Sequence, residues 1–203
     1  MVTPAVLPDA LYLQAVLRYG VNKKDGRGLL LLFSRFLIAL VLCVSLTTSH
    51  ASVRSEYEIK AAYFYNFTQF ISWIAAPDKE LPLRVCVLGD NPFGDLLQPL
   101  AGRKSQGRTL ELVNPEDLST AAGCHVLFVS SSNLRNLPAV ISMAQEGQML
   151  TISELPGFVD AGGIIGYVKQ GNIIRFEINL RAADAAGINI NSRLLELASR
   201  VVQ

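Results

Sequence analysis

The sequence predicts an α/β fold: a three-layer domain built on a mostly parallel sheet of about six strands, with helices on both faces and a C-terminal antiparallel hairpin. Three observations carry this. Strand-like runs at Leu83–Leu88, Arg108–Val113, Cys124–Val129 and Met149–Ile152 are separated by helical or turn-forming stretches, and such alternation implies parallel pairing with both faces covered. After the glycine-rich residues 157–163 the period changes to strict alternation, the mark of a half-buried antiparallel strand. Finally, about 150 residues follow a secretory signal, the size of one domain with a real core.

The signal comes first in the chain. Arg35 leads into the apolar run from Phe36 to Leu46, and polar residues then end in Ser49-His50-Ala51, the order of regions a signal peptidase reads. The run is too short for a stable membrane span, which needs about 20 apolar residues, so export with cleavage near Ser52 is expected in preference to a retained anchor. Cys43 follows the bulky Leu42, a poor context for lipidation. Met1 to Gly28 carries no clear pattern. Residues 1–51 are therefore read as a spurious leading extension plus signal peptide, and 52–203 as a single α/β domain.

From Ser52 onward thirteen Lys and Arg face fifteen Asp and Glu, a formal net charge of −2 against +1 for the whole chain. A nucleic-acid partner is not expected, because displacing counterions from a polyanion takes clustered cations. Cys86 and Cys124 remain as an even pair, in keeping with an oxidising compartment.

Ser55-Glu56-Tyr57-Glu58 has the spacing of a capping box and predicts a helix start. Ile59, Tyr63, Phe67, Phe70 and Ile74 follow on one apolar face, with Pro77 ending the pattern. Seven aromatics crowd this helix, and such a stripe reads as core packing before it reads as a ligand box. Leu83–Leu88 runs into Gly89-Asp90-Asn91-Pro92, where Asp90 or Asn91 can cap a helix with Pro92 in its first turn. A helix is expected from about Leu134 to Glu146. Ile164 to Lys169, a Gln170-Gly171-Asn172 turn and the alternating Ile174 to Leu180 predict the hairpin, and a final helix is expected from near Asn191, burying Leu194, Leu197, Ala198 and Val201.

Candidate chemistry is sparse. The one histidine of the exported part, His125, follows Cys124 at a strand start; adjacent strand residues point to opposite faces, so the two do not make a nucleophile and base. Two cysteines and one histidine fall short of a zinc site, and Gly89–Gly94 lacks the glycine spacing and the lysine of a phosphate loop. No catalytic residue, metal or cofactor is expected. A weaker grouping survives where parallel strands end, the usual ligand crevice of open α/β sheets: Asp90 and Asn91, Ser131 and Asn133, Ser153 and Glu154. The same residue types also serve caps and turns. A small-molecule binding module acting with a membrane receptor is the alternative this crevice supports. Cys86 lies mid-strand and Cys124 at a strand start, so they form either a bridge between neighbouring strands or two separate buried thiols. Arg175, Glu177 and Asn179 share the polar face of the last hairpin strand, which is either solvated surface or a register-setting contact for a partner or second subunit.

Glu58 to Phe67 with Phe70 and Trp73, the strand end Cys86–Asp90, Gly123–Val129, Leu150–Glu154, Gly162–Ile165 and Ile174–Leu180, in this order, resemble the YfiR-like family of secreted bacterial proteins across essentially all of Glu56 to Val202. The resemblance implies regulation without catalysis. Such relatives are periplasmic repressors that bind the periplasmic sensory region of an inner-membrane diguanylate cyclase and hold down cyclic di-GMP. They are released when an outer-membrane, peptidoglycan-binding lipoprotein sequesters them, are redox-sensitive through disulfides and tend to form homodimers. Cys86 and Cys124 match one family cysteine pair by neighbouring motif. The second pair of some relatives is absent, since Phe158 to Val168 contains no cysteine.

Overall fold

Among the described residues, short runs mostly rich in valine, isoleucine, leucine and phenylalanine form ten strands: β1 (Ile71–Trp73), β2 (Leu83–Leu88), β3 (Lys104–Ser105), β4 (Arg108–Val113), β5 (Val126–Val129), β6 (Leu150–Ser153), β7 (Ile165–Gln170), β8 (Ile173–Asn179), β9 (Ile188–Ile190) and β10 (Arg200–Val202). The structure, a computed structural model, describes residues 49–75 and 80–203. The expected signal segment up to residue 48, the leading extension, Cys43 and Pro77 lie outside the described residues. Residues His50–Gln203 make one compact unit.

Eight strands pair in the order β10-β8-β7-β6-β5-β2-β4-β3. Pairing is parallel except at β7-β8 and at β3-β4, so the mixed, mostly parallel sheet with its antiparallel hairpin is as the sequence predicts. The extra strands are short: β3 and β10 hold two and three residues, too few to display a period. β1 and β9 form a separate antiparallel ribbon.

Side chains alternate across the sheet because the strand period is two. Val85, Val87, Val126, Phe128, Leu150 and Ile152 face one core with Phe64 and Phe67. These two phenylalanines belong to the long helix α1 (Ser49–Gln69). Cys86, Leu88, Leu127 and Val129 face the other core with Val140, Ile141 and Ala144. Those come from α3 (Leu137–Glu146), which follows a single-turn α2 (Leu118–Ala121). Two short helices, α4 (Leu180–Ala185) and α5 (Ser192–Leu197), lie near the C-terminus.

Several boundaries differ from expectation, each for a local reason. Helix α1 continues through Ser55, so the Ser55–Glu58 spacing does not mark its start. It stops at Gln69 instead of reaching Ile74, because Ile71 and Trp73 are buried and Ser72 exposed, a strand pattern satisfied by β9. Ser105 Oγ donates to the Thr68 carbonyl at 3.0 Å and the Gln106 amide to those of Thr68 and Ile71, which caps the helix from outside. No α-helix follows Asp90-Asn91-Pro92. Asn91 Oδ1 accepts from the Phe93 N–H at 2.9 Å, a local turn, and Gly94 (φ 56°) takes a left-handed conformation that breaks a helix.

Helix α3 begins at Leu137, preceded by a 3-10 segment at Ser131–Asn136. Pro138 has no N–H to donate, so the regular ladder starts there. The expected last helix is only one and a half turns long. Leu194 is buried, but Leu197 is exposed and Ala198 is extended, after which Ser199 bonds the Phe176 carbonyl through its N–H and Oγ and β10 joins the sheet beside β8.

Candidate functional site

The chain passes from β2 to β4 on one side of β2 and returns to β5 on the other, which puts the topological switch, where open α/β sheets bind ligands, between the ends of β2 and β5. Asp90 and Asn91 follow the end of β2, and Ser131 and Asn133 follow the end of β5. The space is filled by the chain itself: Ser132 Oγ accepts from the Asp90 N–H at 3.0 Å. A Cβ on Gly89 (φ +91°) would collide with the side chains of Ser132 and Asn133. Ser153 is fully buried, donating to the Val129 carbonyl at 2.7 Å and accepting from the Leu155 N–H at 3.1 Å. These six residues therefore do not converge on one crevice, and Glu154 turns instead to α1.

There it enters a cluster that sequence reasoning missed. Lys60 is buried and its Nζ meets Glu154 Oε2 at 2.6 Å and Glu56 Oε1 at 2.7 Å. Glu56 also takes Lys169 at 2.8 Å, and Tyr57 OH donates to Glu154 at 2.9 Å. Bonds from Lys169 and Lys60 hold the Glu56 carboxyl below its ordinary range. Burial, then the Glu154 carboxylate, pushes the Tyr57 phenol up. Tyr167 OH donates to the Lys60 carbonyl at 2.7 Å, and a cavity of about 190 Å³ opens among Glu56, Lys60, Glu154, Tyr167 and Lys169. The Glu56–Lys60 spacing of four residues was visible in the sequence as a helix pair. Glu154, 94 residues from Lys60, was not.

On another side of α1, a groove of about 560 Å³ runs between Glu58, Ala61, Ala62, Tyr65 and Asn66 of the helix and the 95–103 segment after β2. The Arg103 guanidinium lies 4.1 Å from the centre of the Tyr65 ring, and Tyr65 OH donates to the Lys104 carbonyl at 3.0 Å.

At the opposite end of the sheet, Cys86 of β2 and Cys124, just before β5, are joined in a disulfide with Cα atoms 6.0 Å apart, within the usual range for such a bridge. The neighbouring ring of His125 turns away from it. Its Nδ1 accepts the Arg84 N–H at 3.1 Å and its Nε2 faces Arg108 Nη2 at 3.0 Å. A neutral imidazole has one lone pair to offer, and the Arg84 N–H takes it at Nδ1; protonating that nitrogen would cost this bond, which favours the neutral ring. Burial, with Arg108 and Arg84 adding to it, lowers its pKa to about 4. Among the described residues no group of three or more His, Cys, Asp or Glu could hold a metal ion.

The polar face of β8 divides. Arg175 is exposed, whereas Glu177 binds Arg200 at 2.7 Å together with Asp160 at 2.8 Å. Asn179, expected beside them at the surface, is buried: its Nδ2 donates to the Val159 carbonyl at 2.7 Å and its Oδ1 accepts the Ala182 N–H at 2.9 Å, capping α4. Cap chemistry claimed it before any partner could.

A family model described as DUF4154, YfiR/HmsC-like, matches residues 57–199. No curated protein matches the chain. Among solved structures, a conserved domain protein from Vibrio cholerae O1 biovar El Tor is similar at 14% identity and a TM-score of 0.46, covering 59% of this chain and 54% of that one. An ABC domain in complex with L-Trp from Streptococcus pneumonia is similar at 16% identity and a TM-score of 0.45, covering 59% of this chain and 55% of that one. The chain thus spans about half the length of these structures.

Proposed function

The chain belongs to the YfiR/HmsC-like family, a family of periplasmic regulators of cyclic di-GMP signalling, and on that ground we propose that it binds and represses a membrane signalling protein. The target is the periplasmic sensory region of a membrane-anchored diguanylate cyclase, with an outer-membrane lipoprotein as the antagonist that withdraws the repressor. The observation that carries this reading is the family match over residues 57–199. The disulfide supports it, since such bonds persist in oxidising compartments, and among the described residues no helix is long and apolar enough to cross a membrane. In this reading the protein acts without catalysis or cofactor, as an exported homodimer.

Repression by binding is a population shift. The protein must bind the inactive sensor more tightly than the active one, because equal affinity for both shifts nothing. A strand-end ligand site has less support, as Ser132 and Asn133 occupy the space it needs. Deleting the gene in its native host and measuring cyclic di-GMP tests the regulatory role; a rise is expected, and an unchanged level overturns it. Affinity capture of the mature protein from envelope extract then identifies the cyclase, and recovery of a transporter component in its place favours the ligand-module alternative.

A further inference from the structure

Resting on that regulatory reading, we propose that the groove between α1 and the 95–103 segment is a docking surface for the signalling partner. Its occupant is an apolar segment of the partner's periplasmic region carrying one carboxylate, which Arg103 takes. Glu58, Ala61, Ala62, Tyr65 and Asn66 line the groove from α1, spaced so that they share one helix face. Small side chains make the floor: Ala61 and Ala62 from the helix, with Leu96 and Leu100 opposite. That leaves room for an inserted apolar side chain.

The far end is cationic. Arg103 is exposed and stacked on Tyr65, whose own hydroxyl is anchored on the Lys104 carbonyl. Among the described residues its guanidinium has no carboxylate partner, so a fork of donors is held in place and faces outward. A planar guanidinium fixed on an aromatic face suits bidentate capture of a carboxylate, and Tyr and Arg are the residue types that dominate binding energy at interfaces. Lys104 adds a second exposed cation beside it. Glu58 and Asp95 also line the groove, and each has an interaction of its own. Glu58 sits two turns before Tyr65, roughly 10 Å away at the helical rise. The groove therefore disfavours a polyanion and selects one acid at the Arg103 end with apolar residues behind it.

The test supplies the full-length chain, wild type or variant, to the deletion strain and measures cyclic di-GMP with the amount of disulfide-bonded protein. If deletion changes nothing, the regulatory reading and the groove fall together. If deletion raises cyclic di-GMP and the wild type restores it, Arg103→Glu and Ala62→Trp are expected to accumulate normally and lose repression. Arg103→Ala should lose part of it, and Arg103→Lys should lose less than Arg103→Ala but more than the wild type, since it keeps the charge without the stacked fork. Arg193→Glu, an exposed change on α5, should repress like the wild type. Folded Arg103→Glu and Ala62→Trp proteins that repress fully overturn the groove and leave the regulatory reading standing. Arg103→Glu no worse than Arg103→Ala overturns the acidic occupant. Both substituted positions are exposed; should Ala62→Trp fail to accumulate, the Arg103 series alone decides.

Discussion

Replacing Lys60 by methionine removes the cation at the centre of the Glu56–Lys60–Glu154 cluster while keeping most of its apolar stem. The Lys60 side chain is 5% exposed and its partners about a fifth exposed, so the pair interaction is stronger than at a surface. Breaking a fully buried pair costs about 3–5 kcal/mol, chiefly because the orphaned charge stays buried. Here the penalty is smaller, as Glu56 keeps Lys169 and Glu154 keeps the Tyr57 hydroxyl. We expect a loss of about 2–3 kcal/mol, or roughly 4–12 °C in Tm for a domain of this size. Adding Glu154→Gln to Lys60→Met should recover part of that loss, because the uncompensated carboxylate is then gone. The single tryptophan, Trp73, is buried and reports urea unfolding of all four proteins in the cycle. A Lys60→Met protein as stable as the wild type, or a double variant in which the two losses simply add, refutes the reasoning.

Non-reducing mass spectrometry of the exported protein should show Cys86 and Cys124 bonded, and reduction should cost about 3–4 kcal/mol for this loop in the chain-entropy model; two free thiols would contradict the structure. Phe67→Ala opens a hole among Tyr63, Tyr167 and Phe176, whose rings lie 5.0 to 6.0 Å from that of Phe67, and should destabilise by about 3–5 kcal/mol, an effect that thermal melting reads directly. His125 binds a proton more weakly folded than unfolded, so its contribution is fully present above about pH 6.5 and is lost as the pH falls towards about 4. With the ring only partly buried, about 1–2 kcal/mol is expected. His125→Gln should flatten that slope, and an NMR titration of the ring with a midpoint near 6.5 would contradict it.

Much of this architecture was legible because the strand runs at 83–88, 126–129 and 150–153 bury side chains on both faces. The hairpin was legible for the opposite reason, its strict alternation. What the sequence hid was set by distant partners. Ile71-Ser72-Trp73 continues the helical spacing of α1 and becomes a strand only because Ile188–Ile190 stands opposite. Asn179 fits a polar strand face and a helix cap equally well, and the backbone turn after it decides for the cap. The Lys60 cluster was half visible, as the Glu56 pair, and half dependent on a fold that carries Glu154 across the sheet. In the groove, Tyr65 and Arg103 are 38 positions apart, with nothing in either neighbourhood to announce their stacking.

The packing of α1 has a consequence for the order of events when the chain is made. Phe67 rests on Phe176, and Tyr167 reaches the Lys60 carbonyl from 107 residues later. Phe64 can settle on Phe93 and Phe128 earlier, but Phe67 finds its ring partners Tyr167 and Phe176 only when the hairpin of β7 and β8 exists. Crossing a membrane amino end first, the chain would show its aromatic helix to the medium while more than a hundred residues follow. By contrast, Cys86 can meet Cys124 once 38 further residues have emerged. Oxidation would thus fix one half of the sheet early, and the Tyr63 and Phe67 part of the aromatic surface would be covered late, the part a periplasmic chaperone or protease meets first.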